Sequence, residues 1–136
     1  MKITLEQLRG LKACASQVTA FEKAFGKEVN VSEAICVAHA NTFNWLWAAD
    51  KLLKKGAGCE LSWSTAGDSN RYGAVIETTW AKYVANCLHN GSPIMNILPW
   101  ADQNAEVLAA RTTYHVALAR AFAAACPDFL RRFRLS

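Results

Sequence analysis

Apolar side chains recur every three or four positions along most of the chain, which is the period of helices buried along one side. The clearest run is 32–55, SEAICVAHANTFNWLWAADKLLKK, where Ile35, His39, Thr42, Leu46, Ala49 and Leu53 fall on one face. Cys36, Phe43 and Trp47 widen that face. Ser32 suits an N-cap, because its hydroxyl can accept from a free amide of the first turn. Glu33 then sits at the positive end of the helix dipole and Lys54 and Lys55 at the negative end. Gly56 supplies a stop. Asn41-Thr42 reads equally well as the end of one helix and the cap of another, so the run is one bent helix or two short ones.

Residues 5–26, LEQLRGLKACASQVTAFEKAFG, predict a helical hairpin. Thr4 caps its first helix, Glu6 lies in the first turn, and Leu5, Leu8 and Leu11 form the apolar stripe. Ser16 caps the second, which carries Val18, Phe21 and Phe25 and ends at Gly26. The same outline returns 27 positions later, pairing Glu6 with Glu33, Leu8 with Ile35 and Ala13 with Ala40. That recurrence favours two helices in 32–55. The segment 27–31 between the hairpins is read as extended.

Beyond residue 56 the pattern changes. In 57–73, AGCELSWSTAGDSNRYG, Leu61 and Trp63 alternate with polar residues, which predicts a short strand, and Thr65 to Asn70 is turn chemistry. This segment is expected to be a mobile loop separating sub-units 1–56 and 72–136. A helix follows over 72–89, with Ile76, Trp80, Tyr83, Val84 and Cys87 on one side and Asn90-Gly91 at its end. The run SPIMNILPW, 92–100, has prolines near both ends and room for one helical turn. It is a buried connector, or it presents Ile94, Met95, Ile97, Leu98 and Trp100 to a partner. Asp102 then caps the longest helix, expected to reach about Ala125, with Pro127 stopping it. The end, PDFLRRFRLS, is short, basic and amphipathic.

The chain has 136 residues, a usual size for one core, and 52% of them are hydrophobic, which excludes whole-chain disorder. No apolar run is long enough to span a membrane, and the first ten residues lack a secretory h-region. The expectation is a cytoplasmic protein with no membrane association. The five cysteines, at 14, 36, 59, 87 and 126, include no C-x-x-C pair, so buried reduced thiols are expected and neither a metal nor a cofactor. Residues 61–110 hold 2 basic and 4 acidic side chains, whereas 111–136 hold 5 and 1, all five of the basic ones arginine.

No Gly-rich phosphate loop, G-x-S-x-G or H-E-x-x-H occurs. His39 and His115 lie on apolar helix faces and read as core histidines, and His89 sits at a helix C-terminus, where a cation is favoured. A Cys–His nucleophile pair has no local signature in this sequence. The helix SQVTAFEKAFG lacks the Arg, Asn and Gln content of a DNA-reading helix and carries Glu22. Recognition features are confined to Arg131, Arg132 and Arg134 with Phe133, and to Met95 and Trp100 in the proline-bounded run. Arginine forks suit phosphate and carboxylate alike, so nucleic acid and an acidic protein surface are both candidate partners for the tail.

The run from Leu8 to Leu53 carries L-x-x-L-x-A-C, then F-x-x-x-F-G, V-x-V-S-E, a cysteine, and W-A-A-x-x-L-L. In this outline it resembles small accessory proteins encoded by bacteriophages and prophages. The resemblance implies a phage-encoded context inside a host cell and assigns no catalytic residue, since its motifs are core and cap positions. Together these readings predict an all-α bundle of six or seven helices in one domain. They predict a non-catalytic protein that binds a host or phage protein, for example as an inhibitor of a bacterial defence complex such as a CRISPR effector. The alternative is a nucleic-acid-binding regulator using the arginine tail.

Overall fold

A computed structural model describes residues 1–135, with side chains described through Cys126. The chain is mostly helical. It opens with β1 (Lys2–Thr4), which pairs antiparallel with β2 (Glu28–Asn30) and sets Ile3 opposite Val29. The expected extended segment at 27–31 is therefore present. Between the strands run α1 (Leu5–Gly10) and α2 (Ala15–Phe25). Thr4 and Gln7 form a capping box: the Gln7 amide donates to Thr4 Oγ1 at 3.1 Å, and the Thr4 amide donates to Gln7 Oε1 at 2.8 Å. The N-cap of α2 is Cys14 and not Ser16, because the Gln17 and Val18 amides both reach the Cys14 carbonyl and draw Ser16 into the first turn. Gly26 ends α2 with φ 72°, a conformation that favours glycine.

The run 32–55 contains two helices. α3 (Glu33–Ala38) starts at Ser32, whose Oγ accepts from the Ile35 amide at 3.2 Å. The second, α4 (Trp45–Ala48), is capped by Asn44, whose Oδ1 accepts from the Trp47 amide at 3.1 Å. It passes directly into a π-helical turn, Ala49–Leu53. The break is held from outside: Gln17 donates to the Thr42 carbonyl and accepts from the Asn44 amide, each at 3.0 Å. The Trp45 indole N–H donates to the Ala40 carbonyl at 2.9 Å. This interruption shifts the helical phase. Trp45, Ala49 and Leu53 are therefore buried, Leu46 and Trp47 are half-buried, and Thr42 is exposed, in place of one stripe from Ile35 to Leu53.

The largest departure from expectation is at 57–73, which is neither loop nor strand. α5 (Ala57–Ser64) and α6 (Ala66–Asn90) follow one another with only Thr65 between them. Ala57, Gly58, Leu61 and Thr65 are buried, a helical spacing that the Leu61/Trp63 alternation obscures. The start of α5 is capped from the preceding element: Asp50 Oδ1 accepts from the Gly58 amide at 2.7 Å. A Cβ at Gly58 would stand 2.6 Å from Asp50 Oδ2 and 2.7 Å from the Leu46 carbonyl oxygen, so the glycine permits this approach. The turn-forming residues Asp68 and Ser69 lie in the first turn of α6, where they are tolerated, and Asp68 pairs with Arg71 at 2.8 Å.

α6 ends as expected at Gly91, φ 68°. A short α7 (Ile97–Ala101) leads to α8 (Ala105–Leu135). Asn104 caps α8, with Oδ1 accepting from the Val107 amide at 3.1 Å. Asp102, the expected cap, instead pairs with Arg111 at 3.0 Å. Nor does Pro127 stop the helix, which continues to Leu135. Proline has no amide N–H, so the ladder loses the rung to the Ala123 carbonyl and spans the gap. The described residues thus hold eight α-helices, a π turn and a small sheet, against the six or seven helices expected.

Two apolar cores result. The larger gathers residues from Ile3 to Leu61 with Leu118, Ala119, Phe122, Ala123 and Cys126 of α8. The smaller holds Trp100, Ala101 and Val107 against Tyr72, Ile76, Trp80 and Tyr83. α8 contributes to both.

Substituting Gly58→Ala should cost about 1–3 kcal/mol, because the new methyl meets backbone. The exposed α6 position Gly73 has nothing within 4 Å of its Cβ site. There the same change should gain about 0.5–1 kcal/mol. Urea unfolding of both variants checks the contrast; equal effects would contradict the close approach at Gly58.

Candidate protein-binding surface

From Tyr83 to Ala101 the chain contains no Asp, Glu, Lys or Arg. It comprises the last two turns of α6, the linker 92–96 and α7. Three rings organise it. Trp80 and Tyr83, three residues apart on α6, meet Trp100 of α7, with centroids 5.0 Å apart for the edge-on Trp80–Trp100 pair and 5.6 Å for the stacked Tyr83–Trp100 pair. The Tyr83 hydroxyl accepts from the Met95 amide at 3.0 Å and pins the linker onto α6. Pro99 sits in the first turn of α7, where an amide N–H has no helical partner to lose.

This arrangement turns the remaining apolar side chains outward. Leu88 is 71% exposed and Leu98 76%, with Ile94, Met95 and Ile97 also exposed. The sequence-predicted Trp100 departs from them: at 5% exposure it is the base of the cluster and not its outer face. Leu88 carries no signal in the sequence that sets it apart. Its neighbour Cys87 takes the buried position, and periodicity alone does not say how wide the buried stripe of α6 is. Arg131, Arg132, Phe133 and Arg134 lie on the last turns of the α8 backbone, and their side chains fall outside the described residues.

Polar side chains gather elsewhere, where the α3–α4 break and α6 meet α8. Asn41 Nδ2 donates to Thr112 Oγ1 at 2.9 Å, which leaves Asn41 Oδ1 to accept from His115 Nδ1–H at 2.7 Å. Burial, and then the nearby Arg111 guanidinium, hold the His115 imidazole below its ordinary pKa. Arg111 itself donates from Nε to the Tyr72 hydroxyl and from Nη1 to Asp102, both at 3.0 Å. These contacts tie α8 to α6 and to the α3–α4 break. His39 packs edge-on against Phe25 at 4.8 Å, as an aromatic filler. Among the described residues, no three His, Cys, Asp or Glu side chains gather where they could hold a metal ion, and no helix is long and apolar enough to cross a membrane.

Compared with protein-family models, curated proteins and solved structures, the chain has no match in any of the three.

The thiols divide by burial. Cys14 and Cys59 are exposed, whereas Cys36, Cys87 and Cys126 are buried. Burial pushes Cys36 and Cys126 up to about 11, so neither offers a thiolate near neutral pH. Iodoacetamide at pH 8 should therefore label Cys14 and Cys59 in the folded protein and all five thiols in denaturant, as read by intact mass. Early labelling of Cys36 or Cys126 would contradict this packing.

Proposed function

We propose that this chain is a non-catalytic binding protein that docks onto a partner protein through the uncharged end of the α6–α7 hairpin. The observation that carries the reading is the exposure of Leu88, Ile94, Met95, Ile97 and Leu98 within a 19-residue stretch free of Asp, Glu, Lys and Arg. Exposed apolar patches on soluble proteins mark interaction sites, and interface centres are depleted of charged residues. The packed Trp80, Tyr83 and Trp100 rings give the patch a rigid base, which lowers the entropy lost on docking. The resemblance of 8–53 to phage and prophage accessory proteins supplies a setting: a host or phage protein as partner. Inhibition of a bacterial defence complex, such as a CRISPR effector, is the concrete version.

Tagged protein should retain one stoichiometric partner from host lysate. The double variant Ile94→Asp/Leu98→Asp should lose it, with affinity falling at least about thirtyfold, roughly 2 kcal/mol. Both side chains face solvent, so thermal stability should stay near that of the parent. Full retention by the double variant would overturn the assignment of this surface. Loss of the partner only on raising salt would point instead to the arginine tail and a phosphate-bearing partner.

A further inference from the structure

The larger core encloses an apolar cavity of about 70 Å³, open to solvent on one side. Its lining includes the buried Leu8, Phe21, Trp45 and Phe122 and the half-buried Val31 and Trp47. We propose that this cavity is a binding site for a small uncharged apolar group of the size of a short alkyl chain.

Four features lead there. The first is the wall chemistry. Gln17 and Asn44 are the amide side chains at the wall; Gln17 is engaged through both its oxygen and its nitrogen, and Asn44 Oδ1 caps α4. A water molecule needs two to four polar partners, so an apolar occupant is favoured over water. The second is charge: among the described residues, no Asp, Glu, Lys or Arg lines the cavity, so an ionic ligand would enter without compensation. The third is size. About 70 Å³ is too small for a helix or strand of a partner protein, but the open side lets a longer ligand leave its polar end in water. The fourth is preorganisation. Phe43 and Asn44 of the wall belong to the α3–α4 break and Trp45 follows it, and Gln17 and the Trp45–Ala40 hydrogen bond hold this segment in place. Native cores otherwise contain few voids larger than a water molecule. This site is separate from the α6–α7 surface and does not depend on it.

The test uses xenon and propane as probes on the full chain, followed by ¹H–¹⁵N and methyl correlation spectra. Saturable shifts are expected at Val31, Ile35 and the Trp45 indole, with a rise in melting temperature in propane-saturated buffer. Cys36→Leu grows into the cavity and should abolish those shifts; if it does not fold, Ala48→Leu fills the same wall from α4. Shifts that fail to saturate, that cluster at Met95 and Leu98, or that persist unchanged in the filled variant would overturn the proposal.

Discussion

The Trp45 indole against the Phe122 ring, with centroids 5.4 Å apart and both side chains buried, is the contact on which the fold turns. Trp45 is the first residue after the break in the 32–55 run, and its N–H closes that break onto Ala40. Phe122 lies midway along the longest helix. Their meeting locks the N-terminal helices, the π turn and α5 onto the C-terminal half of α8. The other half of α8 supplies Val107 to the small core under α6 and α7. One helix thus carries the packing of both halves of the chain. The Asn41–His115 and Tyr72–Arg111 contacts, set along the same helix, fix its rotation and add polar register to an apolar seam.

That architecture divides the work. The half built on Trp45 and Phe122 has the larger core, although Trp63 of α5 stands 79% exposed on it. The half built on Tyr72, Trp80, Tyr83 and Trp100 has the smaller core: four rings and a few aliphatic residues. A core that small cannot turn every apolar side chain inward, and the surplus stands in solvent at the hairpin end without charges beside it. The exposed surface is therefore a consequence of where the chain spends its aromatic residues, and it is this surplus that the functional reading rests on.

Local chemistry is legible in the sequence, and long-range partners are not. Thr4 and Ser32 start their helices and Gly26 and Gly91 end theirs where expected, because capping depends on the residue and its immediate neighbours. At 57–73 the same reasoning misleads. Leu61 and Trp63 read as an alternating strand and Thr65 to Asn70 as a turn, whereas Gly58 lets Asp50 and the Leu46 carbonyl approach the start of α5, a fact of tertiary structure. Asp102 and Asn104 are comparable caps two residues apart, and Arg111 decides between them by claiming Asp102. Periodicity selects Trp47 over Trp45 for the buried face, because a break of unknown length makes the phase of the following helix unreadable. For the candidate surface, the proline-bounded run 92–100 is visible in the sequence. That Trp100 turns inward and Leu88 outward depends on which face of α6 meets α7.

The most direct test of this account is native-state hydrogen exchange on Phe122→Ala. Truncating that ring should remove about 3–5 kcal/mol. If α8 joins the two cores, protection should fall together, and by the same free energy, for amides of α3 and for amides of α6 between residues 76 and 88. Wild-type protection persisting in α6 while α3 is lost would show that the hairpin stands by itself, and would contradict the Trp45–Phe122 contact as the one that holds both halves.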